Sequence, residues 1–134
     1  MCAMKLKNAK RILIIDDDLD LLMLLERSLL REGYEIETAA SLSEAECILP
    51  GFTPDLLLLD INVNGEDGRK LCWKLKVQEK RTDMKVIVIS GHDYSVAIAA
   101  LFGADDLIPK PLHLDYLLLK LDQLLLKQQF TYGA

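Results

Sequence analysis

Positive charge is what this sequence has little of. Its 16 lysines and arginines stand against 21 aspartates and glutamates, a formal net charge of −5, and its isoelectric point is about 5.0. Neutralising nucleic-acid phosphates takes clustered Lys and Arg, and an anionic membrane surface takes a polybasic segment. The chain is therefore expected to contact neither nucleic acid nor a membrane directly. Cysteine is scarce as well: Cys2, Cys47 and Cys72 are odd in number, widely spaced and without a C-x-x-C pair. They outline no disulfide framework and fit a reducing compartment, so the expected location is cytoplasmic. No apolar run reaches the roughly 20 residues of a membrane span, and Met1 to Lys10 lacks the apolar stretch of a signal peptide. No G-x-x-x-x-G-K-[ST] loop occurs, which disfavours nucleotide hydrolysis. Linkers, repeats and low-complexity tracts are also missing.

What is present is regular. The 134 residues fit one domain, and a 51% hydrophobic content can fill its core. Residues 11–15 form an aliphatic run of buried-strand type. Residues 19–32 repeat apolar side chains at helical spacing and stop at Gly33. Residues 34–39 alternate apolar and polar, as a strand covered on one face does. Ser41 with Glu44 makes a capping box for a helix expected to break at Pro50-Gly51. A buried strand over 55–59 leads into a loop, 60–67, with the turn signal Asn64-Gly65. A helix over 68–78, a strand over 84–89, a helix over 94–102, a strand over 106–108 and a helix over 112–127 complete the pattern. The domain is expected to span 10–127, with flexible termini 1–9 and 128–134. Repeated strand–helix alternation implies an α/β fold with a parallel sheet covered on both faces.

In such a sheet, ligands bind at the carboxyl ends of the strands. There the first strand delivers Asp16, Asp17 and Asp18, the third Asp60, the fourth Ser90 and Gly91, and the fifth Lys110 before Pro111. Crowded carboxylates repel one another by on the order of several kcal/mol. A hard divalent cation relieves that repulsion, and Mg²⁺ suits a site with few carboxylates and several waters. A carboxylate beside such an ion can attack a phosphoryl group. Lys110 would neutralise developing charge, and the Ser90 hydroxyl would bond a phosphoryl oxygen. Asp18, directly before the first helix, fits an N-cap instead.

Four motifs carry a resemblance. They are Arg-Ile-Leu-Ile-Ile-Asp-Asp-Asp at the first strand, Pro-Asp-Leu-Leu-Leu-Leu-Asp up to Asp60, Val-Ile-Val-Ile-Ser-Gly through Ser90, and Gly-Ala-Asp-Asp-Leu-Ile-Pro-Lys-Pro-Leu around Lys110. Together they resemble the receiver domain of two-component response regulators, of the chemotaxis-regulator type, over about residues 10 to 127. The resemblance implies a flavodoxin-like, doubly wound, five-stranded parallel sheet in the order 2-1-3-4-5 with five helices. It implies a signalling switch rather than an enzyme, phosphorylated on Asp60 by a histidine kinase or a histidine phosphotransfer protein. It makes Mg²⁺ the cofactor, held by Asp16, Asp17, Asp60 and the backbone carbonyl of Asn62, with Asp17 the direct ligand of the acidic pair. Ser90 matches the switch hydroxyl, Lys110 the phosphoryl-contacting lysine, and Lys110–Pro111 is expected to be cis. Asn62 and His92 fall where the family tunes hydrolysis of the acyl phosphate.

Two positions depart from the family. Asn64 stands where Pro is common, implying a looser loop. Leu107 stands where a Tyr or Phe usually turns inward on activation. Leu107 keeps open a second reading, a pseudo-receiver that acts as a phosphorylation-independent interaction module. A phosphatase of the haloacid dehalogenase type would carry Asp-x-Asp after the first strand, whereas here the isolated acid follows the third.

The last helix is rich in leucine. Leu114, Leu117, Leu118, Leu121, Leu124 and Leu125 form the expected core stripe. Leu112, Tyr116, Leu119 and Leu126 form a second stripe, suited to a homodimer, an output domain or a kinase helix. No DNA-binding or catalytic domain follows Lys127, so output is expected in trans or outside this sequence.

Overall fold

Alternate side chains of a strand point to opposite faces of its sheet, so an unbroken aliphatic run needs cover on both. Leu56 to Leu59 are all buried, which makes their strand the central one. The computed structural model describes residues 9–91 and 96–126. In chain order it contains β1 (Arg11–Ile15), α1 (Leu19–Arg31), β2 (Glu35–Ala39), α2 (Leu42–Phe52), β3 (Leu56–Asp60), β4 (Asn62–Val63), β5 (Glu66–Asp67), α3 (Gly68–Trp73), β6 (Lys85–Ser90), α4 (Val96–Leu101), β7 (Asp106–Pro109) and α5 (Leu114–Leu121). Helix α3 continues in wider i→i+5 turns over Lys74–Gln78, and α5 does so over Asp122–Leu126.

Five strands form one sheet in the order β2-β1-β3-β6-β7, each pair parallel. With the small β4–β5 hairpin set aside, this is the expected 2-1-3-4-5 order. One core lies between the sheet and α2, α3 and α4. It joins Leu13, Ile15, Leu57 and Leu59 to Ala45, Leu49, Leu71, Leu75 and Ala99. The other lies under α1 and α5, joining Ile12, Ile14, Leu56 and Leu58 to Leu22, Leu25, Leu29, Leu117, Leu121 and Leu125. The two-residue alternation along β1 and β3 feeds both. Among the described residues, no helix is long and apolar enough to cross a membrane.

Five expectations need correction. Helix α2 does not break at Pro50-Gly51 but runs on to Phe52. Pro50 sits in its last turn, where a missing N–H costs only one internal hydrogen bond. Thr53, left-handed at φ 41, caps the end by donating to the Leu49 carbonyl, and Arg11 donates to the Phe52 carbonyl at 2.8 Å. Residues 60–67 are not an irregular loop. They hold the antiparallel β4–β5 hairpin, because Asn64 and Gly65 both take positive φ, 53° and 81°, as a two-residue hairpin turn requires. The last helix starts at Leu114 rather than 112, with His113 as its N-cap. Leu114 is 38% exposed and does not join the core. Of the second leucine stripe, Tyr116 and Leu119 are exposed, while Leu112 packs against the α1/α5 core. Next to them, Lys120 pairs with Asp106 at 2.9 Å and lies 5.4 Å from the Tyr116 ring centroid. His92, the Leu126 side chain and the expected flexible ends before residue 9 and after 126 lie outside the described residues.

Candidate functional site

Hydrogen bonding sorts the three consecutive aspartates after β1. The Asp16 N–H donates to the Ala39 carbonyl at 3.1 Å, continuing the sheet by one residue. Its side chain turns inward, 1% exposed, and its Oδ1 accepts from the Asp18 N–H at 2.9 Å. Asp18 faces outward and caps α1, accepting from the Leu21 N–H at 3.1 Å, as its position predicts. Asp17 points from an exposed position toward the end of β3. There Asp60 is 4% exposed, and its Oδ1 accepts from the Asn62 N–H at 3.2 Å.

Lys110 is delivered from the end of β7, where its N–H donates to the Ser90 carbonyl at 2.8 Å. Its ammonium donates to Asp60 Oδ2 at 2.9 Å and lies 3.9 Å from Asp16 Oδ2. Burial works against its charge, but the hydrogen bond to Asp60 and the charges of Asp16, Asp60 and Asp17 outweigh it, holding the ammonium above its ordinary value. Asp17, Asp60, Ile61, Asn62, Ser90, Gly91 and Lys110 line a cavity of about 410 Å³. The expected site residues Asp16, Asp17, Asp60, Asn62, Ser90 and Lys110 thus converge. Leu107 does not join them: it is buried in the core shared with α2, α3 and α4. The Lys110–Pro111 peptide is cis, as expected.

One carboxylate oxygen each from Asp16, Asp17 and Asp60 lie within 4.8 Å of one another. Asp16 Oδ2 is buried without a hydrogen-bond partner. A buried anionic oxygen without a hydrogen bond is costly, and three neighbouring carboxylate oxygens are the hard donors that Mg²⁺ prefers. The residues therefore fit that ion.

The same crowding predicts a pH dependence. Burial, assisted by the charges of Asp60 and Asp17, raises the Asp16 carboxyl from 3.8 to about 6, against the lowering effects of the Asp18 hydrogen bond and of Lys110. A carboxyl raised in the folded state binds its proton more tightly there than in the unfolded chain. Without metal, stability is therefore lost as pH rises from about 4 to about 6, by up to about 3 kcal/mol. Asp16→Asn removes this effect. In the presence of EDTA, the variant is expected to exceed the parent by about 1–3 kcal/mol near pH 8 and to match it near pH 4. Urea unfolding at the two pH values measures the difference, and an equal gain at both would contradict the assignment.

Two residues at the site escape a strand-by-strand reading. Asn64 donates its N–H to Asp17 Oδ2 at 2.8 Å and its Nδ2 to the Ala40 carbonyl at 3.0 Å. The Asn-Gly dipeptide signals the hairpin that makes these bonds possible, but not their targets. Gly68 opens α3 where a Cβ would stand 2.3 Å from the Asp60 carbonyl oxygen.

The family model described as response regulator receiver domain matches residues 12–122. The chain is 36% identical to the response regulator MprA of Mycolicibacterium vanbaalenii, over 126 residues that cover 92% of this chain and 54% of that protein. It is 37% identical to the MprA of Mycobacterium avium over 117 residues, 86% of this chain and 50% of that one. The chain therefore spans about half the length of these curated relatives. Among solved structures, a CheY-like receiver domain protein from Methanospirillum hungatei matches with a TM-score of 0.79 at 34% identity, covering 91% of this chain and 98% of that one. A two-component response regulator from Clostridium difficile matches with a TM-score of 0.81 at 29% identity, covering 89% and 98%.

Proposed function

This chain belongs to the response regulator receiver domain family, and from that premise we propose that it is a phosphoacceptor switch in a two-component relay, modified on Asp60. The observation that carries the reading is the 2.9 Å contact of Lys110 with Asp60 beside three carboxylates whose oxygens lie within 4.8 Å. A carboxylate suited to act as nucleophile and its charge partner line one cavity with Asp17, and Asp16 stands within reach of both acids.

The donor is a phosphohistidine of a kinase or of a phosphotransfer protein. A carboxylate oxygen of Asp60 attacks phosphorus; the new O–P bond forms as the P–N bond breaks, and the imidazole nitrogen leaves with the bonding pair. Phosphoryl transfer asks chiefly for positioning and charge neutralisation. Asp16, Asp17, Asp60 and the Asn62 carbonyl would hold Mg²⁺, which neutralises charge on the phosphoryl oxygens when bound. The Lys110 ammonium compensates a further charge, and the buried Ser90 hydroxyl stands at the cavity wall to receive a phosphoryl oxygen. Drawing Ser90 toward that oxygen would move the end of β6 and so alter the surface offered to partners. Leu107 supplies no ring to turn inward, so transmission would run through Ser90 and the segment after it. The complete residue set speaks against a phosphorylation-independent module.

Beryllofluoride tests the reading without a kinase. Added with Mg²⁺, it is expected to produce saturable changes in the ¹⁵N–¹H spectrum at Ser90, Gly91 and Lys110, and none when Mg²⁺ is withheld. A spectrum indifferent to both additions would sink the proposal.

A further inference from the structure

Helix α3 buries Gly68, Leu71 and Cys72, and its wide-turn continuation buries Leu75. Trp73, the chain's one tryptophan, lies off that stripe and is 43% exposed. A single exposed apolar side chain is ordinary, but Trp73 has company. Arg69 stands one turn before it on the same side of the helix, and Lys70, Lys74 and Gln78 recur beside it at four-residue steps. With Phe102, just past the end of α4, these residues line a groove of about 560 Å³. Its two walls meet beyond Phe102, where a Cβ on Gly103 would stand 2.9 Å from Lys76 Cβ. The groove shares no lining residue with the acidic pocket.

Among the described residues, that lining holds three cations and no carboxylate, in a chain whose acids outnumber its bases by 21 to 16. Arg69 is held from outside the groove by Asp67 at 2.8 Å. Lys74 meets Glu46 at 3.4 Å, with both side chains about half exposed. An exposed pair of that kind contributes little, so Lys74 can turn to another carboxylate at small cost. Lys70 is exposed and forms no salt bridge among the described residues. The lysines are strung along the helix, with Cβ atoms about 5–6 Å apart from one turn to the next. They do not converge on one point, as a phosphate group requires. Carboxylates spaced along a peptide match that row better than a nucleoside phosphate does. Tryptophan is also a preferred anchor of protein interfaces, and apolar faces of partner segments seat in grooves between helices.

We infer that the groove between α3 and α4 docks an acidic peptide segment of another protein. One aromatic or leucine side chain of that segment sits between Trp73 and Phe102, and its carboxylates meet Lys70 and Lys74. The contact needs neither Mg²⁺ nor phosphorylation.

Selection of short peptides from a displayed random library tests the inference, with the full wild-type chain as bait and Trp73→Ala as counter-bait. Both are used in EDTA, so the outcome is separate from that of the phosphoacceptor reading. The selected peptides are expected to be rich in Asp and Glu around one aromatic or leucine. A synthetic copy of one is expected to shift the Trp73 emission to the blue in a saturable way, and added salt to weaken its binding. Reversing both lysine charges, Lys70→Glu with Lys74→Glu, is expected to weaken binding about tenfold or more, as loss of interface anchors does. All three substituted positions are exposed, and circular dichroism checks that the variants fold. A selection without Trp73-dependent peptides, peptides with no excess of acidic residues, or binding unmoved by the charge reversal overturns the inference. ADP that saturates the Trp73 emission at lower concentration than the peptide overturns it in favour of a nucleotide. A wild-type dimer on gel filtration that Trp73→Ala dissociates overturns it in favour of a second copy of the chain.

Discussion

Asp60→Asn is expected to reduce Mg²⁺-dependent labelling by a small phosphodonor such as acetyl phosphate to background. An amide in place of the carboxylate removes the nucleophilic oxygen while keeping nearly the same shape at a site only 4% exposed. Its oxygen can still accept from Lys110, which reaches Asp60 Oδ2 at 2.9 Å in the parent. Loss of one negative charge also eases the repulsion that helps raise Asp16. The variant is therefore expected to be at least as stable as the parent, so lost labelling would not reflect unfolding. Intact-protein mass spectrometry under mild conditions reads the adduct, and circular dichroism the fold. Labelling of the variant at the parental level would place the acceptor elsewhere.

Gly68→Ala should be the most disruptive single methyl addition near the site. The new Cβ would meet the Asp60 carbonyl oxygen at 2.3 Å, the Ile61 carbonyl oxygen at 3.2 Å and Leu59 Cδ1 at 3.3 Å. The first two are backbone atoms of the segment that carries Asp60, so they cannot swing aside as a flexible side chain would. Relief has to come from moving α3 off the end of β3, which also stretches the bond from the Gly68 N–H to the Ile61 carbonyl. Overpacking of this kind costs about 1–3 kcal/mol. The displacement should also shift Asp60 relative to Lys110, so beryllofluoride binding is expected to weaken even at temperatures where the variant is folded. Chemical denaturation measures the first effect and ligand titration the second. A variant of parental stability and affinity would show that α3 is free to withdraw.

Much of this was legible in the sequence because the important residues announce themselves locally. Each buried strand is a contiguous aliphatic run, and the residues after it are the ones the sheet carries to its carboxyl end. Asp16, Asp17, Asp60, Ser90 and Lys110 therefore group together from the sequence alone. The cap at Asp18 and the one at Ser41 were readable for the same reason. What could not be read depends on distant partners. Asn64 and Asp17 are 47 residues apart, and no periodicity links them. The extension of α2 through Pro50 depends on Arg11 reaching its final carbonyl. Leu114 shares the leucine spacing of its helix but sits in the first turn, beyond the reach of the sheet.

The outermost strands have a consequence for how this protein can associate. A strand at the rim of a sheet normally offers unpaired backbone groups to any incoming strand. On β7 those donors are scarce: the Leu107 N–H is taken up by the Asp106 carboxylate at 2.8 Å, and Pro109 has none to give. On β2, the exposed Glu37 puts negative charge at the opposite rim, and an acidic side chain there repels a second copy of the same strand. Growth of the sheet by strand addition is thus discouraged at both ends. Contacts with other chains are thereby left to the side chains of the covering helices, which carry no open ladder for polymerisation.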